Sequence, residues 1–403
     1  MRITDVRCVR REGTLATDDA AGFYASRVAR PLDAYREFRD DTDMGGTVGG
    51  MFPAVEGDSL AVSNLFLEVE TSDGLVGMAG PIEDAVAVLA LGMADLLEGR
   101  DPLATERLWD LMYRAEDHGR KGKTMMAISA VDCALWDLRG RHYGEPVYRL
   151  LGGPTRTELP AYASMFLYST DPADVRETAA EIVEQGYGAQ KWFFQHGPGS
   201  GQEGRQANLA LAAAAREGAG PEQDLMFDAW TSWGYDYTAG MLDALAEYDP
   251  YWLEEPVAPD QMGRYADLRE QAPFRIVGGE HEYTRWGFHE LFERGAVDVA
   301  QPDTFWAGGI SELDKIFTLA SAHDVPVIPH GTPVPANLQV SAAQPPTTCP
   351  MAEYLPKLNR VLQFFFEEPI SPEDGVIAVP DRPGLGVRID DSKVETEREF
   401  EMP

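Results

Sequence analysis

The stretches 225-LMFDAW-230, 251-YWLEEP-256 and 275-RIVGGE-280 decide the fold. Each is a short apolar run closed by an acid: Asp228, Glu254 and Glu280, spaced 26 residues apart. An apolar run of about four to eight residues bounded by turn residues reads as a buried strand. A supersecondary unit used again gives a repeat of roughly 20 to 50 residues, and a strand with its returning helix needs about 30. The cadence therefore predicts successive βα units. Acids at the C-terminal ends of neighbouring barrel strands converge on one mouth, where such barrels place their chemistry. Three carboxylates driven together call for a cation.

The cadence continues. Asp303 ends 297-VDVAQPD-303 and His330 follows 27 residues later at the end of VPVIPH. On adjacent strand ends the two side chains can touch. A carboxylate on one imidazole nitrogen fixes the tautomer and leaves the other nitrogen as a base. Glu353, near the end of 351-MAEYL-355, is placed to bond a substrate oxygen. Lys191, in 189-AQKWFF-194, is one of only six lysines and lies in an apolar setting. An ammonium there would hold a substrate carboxylate. His281 and Trp306, beside Glu280 and Asp303, are candidates to line the pocket.

From residue 159 to 356 eight candidate strands, mostly separated by helical stretches, predict a parallel α/β barrel. Residues 1–150 read differently. The segment 59-SLAVSNLFLEVETSDGLVGMAG-80 alternates apolar and polar residues and turns at Ser72-Asp73-Gly74, which predicts a hairpin. A helix follows, with Met125, Ile128, Val131, Leu135 and Leu138 at helical spacing and Gly140 near its stop. This is an α+β domain. Residues 10–53 show little periodicity, with Gly-Gly pairs at 45–46 and 49–50, and read as a functional or disordered loop. The expected organisation is an N-terminal domain over 1–150, a barrel over 151–356, and a segment 357–403 that returns to the first domain.

Of 403 residues, 67 are acidic and 34 are Lys or Arg, a net charge of −33. That surface repels phosphate backbones, so nucleic acid is not an expected partner. Excess acid with few lysines suggests a protein adapted to high salt. No apolar run reaches the roughly 20 residues of a membrane span. The charged N-terminus does not read as a signal peptide, and Cys8, Cys133 and Cys349 read as free thiols. The expected compartment is the cytoplasm.

Several stretches together resemble the enolase superfamily on its mandelate racemase/muconate lactonizing enzyme side: 128-ISAVDCALWDLRGRHYGEPVYRLLGG-153, FDAW, WLEEP, GGEHEYTRWGF, QPDTFWAGGISE, VIPHGT, AEYL and 381-DRPGLGVRID-390. They run in order over nearly the whole chain. The resemblance implies a modified (β/α)7β barrel, a TIM-like fold, under an α+β capping domain completed by the C-terminal segment. It implies that Asp228, Glu254 and Glu280 ligate Mg²⁺, and all-oxygen ligation is independently what a hard cation selects. It makes Asp303 and His330 a catalytic dyad and Glu353 an acid on the electrophile side. It also implies a homo-oligomer.

Racemases of this family carry a second lysine two residues after the first, as a base on the other face of the substrate. Here Lys191-Trp192-Phe193 puts phenylalanine there. One-base elimination survives that change, and the stretches around Glu280, Asp303 and His330 are similar to acid-sugar dehydratases. The early segment RVARPLDAY resembles their substrate-contacting loop, with Arg27 where they have histidine. The expected reaction is loss of water from an aldonate. His330 removes the proton α to the carboxylate and the 3-hydroxyl leaves, giving a 2-keto-3-deoxy acid. The alternative is a racemase or epimerase working through the same enediolate.

Overall fold

The computed structural model describes residues 1–17, 20–39 and 52–402. The glycine pairs of the early loop lie outside them.

The N-terminal sheet is built on a long strand, β3 (Ser59–Thr71), whose one edge pairs antiparallel with β1 (Ile3–Ala16). Its other edge pairs first with β2 (Ala54–Glu56) and then with β4 (Val76–Ile82). The β3–β4 turn forms at Ser72-Asp73-Gly74, where Gly74 takes φ +78° and donates to the Thr71 carbonyl at 2.9 Å. The second half of β1, from Arg10, occupies residues expected to be irregular. Its periodicity is masked because Arg11 is buried in ion pairs, 2.9 Å from Glu68 and 2.8 Å from Glu397.

Against this sheet lies the helix Lys123–Tyr143. Its middle is buried all round, so its hydrophobic pattern is that of a core helix. It passes Gly140 and stops at Gly144, which is left-handed at φ +70°. Gly140 serves a close approach instead: a Cβ there would come within 2.5 Å of the Gly384 backbone. Buried side chains join this part to the barrel. Trp109 Nε1 donates to Gly308 O (2.8 Å), and Ser129 Oγ accepts from Gly308 N (2.8 Å). Asp132 accepts from Ser311 N and Oγ (2.9 and 2.6 Å), and Trp136 Nε1 donates to Ser311 Oγ (2.8 Å).

The second part is a parallel barrel. Its strands are β5 (Glu158–Ser164), β6 (Ala189–Phe193), β7 (Asp224–Asp228), β8 (Pro250–Glu254), β9 (Arg275–Val277) and β10 (Ala352–Tyr354), in the order β10-β5-β6-β7-β8-β9. Helices return the chain between them. The helix Pro172–Glu184, for example, is capped by Asp171 accepting from Ala173 N at 2.9 Å, with proline in its first turn. The expected strands 297–303 and 325–331 appear only as single bridges, Gly278 to Ala300 and Ala300 to Val327. Pro302, Pro326 and Pro329 remove the donors a full ladder needs.

After the barrel the chain adds β11 (Val376–Ala378) antiparallel to the start of β5, then β12 (Thr396–Glu399) antiparallel to the free edge of β1. Inside the barrel one apolar side chain comes from each strand position: Tyr162, Ala189, Met226, Trp252, Val277, Val299 and Ile328, with Met351 packed on them. Among the described residues no helix is long and apolar enough to cross a membrane.

Candidate active site

Side chains two residues apart on a strand face the same way. Two residues forward from each member of the apolar barrel floor, Tyr162 leads to Ser164, Ala189 to Lys191 and Met226 to Asp228. In the same way Trp252 leads to Glu254, Val299 to Gln301, Ile328 to His330 and Met351 to Glu353. A polar ring thus rests on the apolar floor. Glu280 joins it from the turn after β9, where Gly279 at φ +117° bends the chain. Two residues on again, Phe166, Phe193, Trp230, Thr332 and Leu355 form a collar. With Phe52, Trp306 and Leu358 they line a cavity whose polar wall is Lys191, Asp228, Glu280 and His330. Glu254, Glu353 and Asp303 stand directly behind that wall.

Lys191 is the hub of the ring, 1% exposed. Its Nζ lies 2.6 Å from Glu254 Oε1, 2.8 Å from Glu353 Oε1 and 3.2 Å from Asp228 Oδ2. Burial pulls the ammonium's pKa down, but Glu254 and Glu353 outweigh it and hold the charge. One ammonium cannot satisfy three carboxylates. Glu353 is held lowest, at about 2: Lys191 and His330 overcome its burial. Burial dominates at Glu254, which is pushed well up, and at Asp228, pushed up to about 6. The remaining oxygen of Glu254 accepts from Trp252 Nε1 (3.1 Å) and Gln301 Nε2 (2.6 Å).

His330 Nδ1 lies 2.8 Å from Asp303 Oδ2, and Asp303 is fully buried. The same oxygen accepts from Thr332 Oγ1 at 2.6 Å, while Oδ1 accepts from the Phe305 amide at 2.7 Å. Asp303 is therefore held as an acceptor and fixes the ring with Nε2 toward the cavity. Nε2 is 3.7 Å from Glu280 Oε2, and the Trp306 ring lies 4.9 Å from the imidazole. Burial lowers the His330 pKa, yet Glu280 and the Asp303 hydrogen bond raise it to about 10. A cation on Glu280 would cancel the largest of those raising influences. The two chain segments are also tied through Asn337, which donates to the His330 carbonyl (2.6 Å) and accepts from Thr304 Oγ1 (2.5 Å).

His281 and Arg27 are not brought to the cavity wall. His281 Nδ1 is taken by Glu255 at 2.8 Å, and the ring opens on a neighbouring cleft with Lys121 and Tyr283. Burial lowers its pKa, but Glu255 lifts it to about 9. Arg27 is paired with Asp33, donates to the Phe38 carbonyl at 3.1 Å, and borders a separate groove with Arg36, Arg39 and His196. Its place in a segment that resembles a substrate-contacting loop did not fix where its side chain goes. Ser164, Gln301, Thr332 and the aromatic collar were not singled out from sequence. Counting two residues along each strand would have found most of them.

Between the cavity and the neighbouring cleft, donor atoms of Glu255, Glu280 and His281 all lie within 4.8 Å of one another. Asp228, Glu254 and Glu280 do not meet that spacing; the Lys191 ammonium contacts the first two. The donor set nonetheless fits a hard divalent cation. Among the described residues, six buried carboxyls, Asp228, Glu254, Glu255, Glu280, Asp303 and Glu353, are faced as bases by Lys191, His281 and His330. Burial raises Glu280 to about 7 although His330 and His281 pull it down, so its ionised form is only partly compensated. The strand-end donors are all oxygens, which suits Mg²⁺ better than a nitrogen- or sulfur-seeking metal.

Comparison with known proteins agrees with this architecture. Residues 58–152 match the family "Mandelate racemase / muconate lactonizing enzyme, N-terminal domain", and residues 174–393 match "Enolase C-terminal domain-like". The chain is 37% identical to L-rhamnonate dehydratase of Saccharopolyspora erythraea over 418 aligned positions, covering 100% of both. It is 35% identical to D-galactarolactone cycloisomerase of Agrobacterium fabrum over 360 positions, 85% of this chain and 92% of the relative. The Gibberella zeae rhamnonate dehydratase crystallised with Mg superposes with a TM-score of 0.83 at 29% identity, covering 97% of this chain and 95% of that one.

Proposed function

The chain belongs to the enolase superfamily of enzymes, in its mandelate racemase/muconate lactonizing enzyme group, and from that premise we propose that it is a Mg²⁺-dependent dehydratase of an aldonic acid. Asp228, Glu254 and Glu280 would hold the ion, and when bound it supplies Lewis-acid stabilisation of charge gathering on the substrate carboxylate. That a His or Lys base and Mg²⁺ serve this superfamily is a property of the group at large, not a deduction from this chain.

The residues of this chain supply the rest. Lys191 binds a carboxylate oxygen of the substrate and orients its C2–H toward His330. His330 Nε2 takes that proton, and Asp303, fixed by Thr332 and the Phe305 amide, stabilises the imidazolium. The C3–O bond then breaks, and the proton on Nε2 leaves with the hydroxyl as water. The enol left behind tautomerises to the 2-keto-3-deoxy acid. Phe166, Phe193, Trp230 and Trp306 exclude bulk water from this exchange.

The observation that carries this reading is that, among the described residues, the His330–Asp303 pair is the one His–Asp dyad on the cavity wall, with the Phe193 ring on that wall two residues after Lys191. One base supports elimination and leaves a two-base racemase without its partner. A lactone cycloisomerase is the second reading, favoured by the 35% identity to D-galactarolactone cycloisomerase. It would use the same proton removal with a ring oxygen as the leaving group. A panel of aldonates, aldarates and their lactones, incubated with Mg²⁺ in D₂O, tests both. The expected result is a 2-keto-3-deoxy acid formed from an aldonate. Turnover confined to lactones would favour the second reading, and deuterium uptake at C2 without loss of water would sink both.

A further inference from the structure

Two outer helices of the barrel carry a cluster that the chemistry above does not use. Barrel strands end at the mouth, so the helices that run back end at the opposite rim. The helix Thr284–Glu293 carries His289 and Glu293, one turn apart and so on one face. The helix Gly309–Ala322 is closed by His323 as its C-cap residue. One donor atom from each of the three lies within 4.8 Å of the other two, and His323 Nε2 is 3.5 Å from Glu293 Oε1.

We propose that His289, Glu293 and His323 form a binding site for a borderline divalent cation such as Zn²⁺, which clips these two helices together. Two imidazoles and a carboxylate are the donors such an ion prefers, whereas Mg²⁺ prefers oxygen alone. Both helices reach the cluster with their C-terminal ends, where the unpaired carbonyls carry partial negative charge and favour a cation. The His323 ring is oriented by the buried Phe292 ring, 5.7 Å away. Arg294, next in sequence to Glu293, is drawn off by Glu290 at 2.8 Å. His289 and Glu293 are exposed, so the ion can enter from solvent. Neither cavity chemistry nor a substrate path lies there, so the ion's role is to staple two neighbouring elements. The inference is independent of the proposed reaction.

The test uses the untagged full chain with millimolar Mg²⁺ present to keep the carboxylates at the mouth engaged. Zn²⁺ is titrated in competition with a chromophoric indicator. The expected result is one tight equivalent per chain, lost in His289→Ala and in His323→Ala and retained in Glu254→Gln. Saturating Zn²⁺ should raise the thermal midpoint of the unaltered chain by at least about 2 °C and leave that of the histidine variants in place. An unaltered chain that takes up no Zn²⁺ at tens of micromolar overturns the proposal. So does an equivalent that survives both histidine changes, or one that disappears in Glu254→Gln.

Discussion

Replacing His330 with asparagine keeps a polar side chain against Asp303 and removes the nitrogen that faces the cavity. Turnover should fall by at least about a thousandfold, the usual worth of a positioned base. Mg²⁺ affinity, measured by calorimetry, should stay the same; retained dehydration would place the base elsewhere. Thr332→Val, nearly isosteric, takes away one donor to Asp303 Oδ2. A hydrogen bond to a charged group is worth enough to cost about tenfold in kcat, with KM little changed and Thr332→Ser close to normal. A rise in KM alongside the fall in kcat would indicate a direct substrate contact instead. The acids and the dyad were legible because a charged residue closing an apolar run has no place in a core. Phe166, Phe193 and Trp230 were not, because aromatic residues in strands look the same whether they fill a core or wall a cavity. His281 looked like a pocket residue only because its partner Glu255, adjacent to Glu254 in sequence, could not be given a direction.

Among the elements, the helix Lys123–Tyr143 makes the most consequential contact with the barrel. Burial pushes the Asp132 carboxyl up to about 7, against hydrogen bonds from Ser311 that lower it. The folded protein therefore holds this proton more tightly than the unfolded chain, whose ordinary value is 3.8. The stability it contributes is fully present below about pH 4 and is lost as pH rises through about 7. Asp132→Asn should flatten the fall in urea midpoint between pH 5 and pH 8 relative to the unaltered chain. Equal slopes would show that the buried carboxyl does not titrate there. In the barrel, strand identity was readable from the short runs of β-favouring residues at β5 to β8. The two segments bearing Asp303 and His330 shrank to single bridges because their prolines cannot donate, while their spacing still brought each residue to the mouth. Helix length was misjudged at Gly140, since sequence cannot tell a stop from a place where Gly384 needs room.

Across the whole molecule, a net charge of −33 makes the folded state repel itself. Raising KCl from about 0.1 M to about 2 M shortens the screening length from roughly 10 Å to a few ångströms. We expect the thermal midpoint to climb with salt; a flat response would show that the acids are balanced locally, as Arg7 is by Glu68 and Glu70. The two-part architecture could be read from the change of cadence near residue 150. The path of the last segment was less accessible, because four exposed residues, TERE, carry no hydrophobic signal for the edge they join.

That edge has a consequence for biosynthesis. β1 leaves the ribosome before the barrel strands and β12 after them, so the outer rim of the first sheet stays bare while the entire barrel is being translated. Arg10, Arg11 and Glu12, set opposite Arg398, Glu397 and Thr396 in the finished ladder, keep a charged and therefore unattractive template exposed during that wait. A nascent chain stalled short of residue 396 would carry a complete cavity under a roof whose final seam is still open.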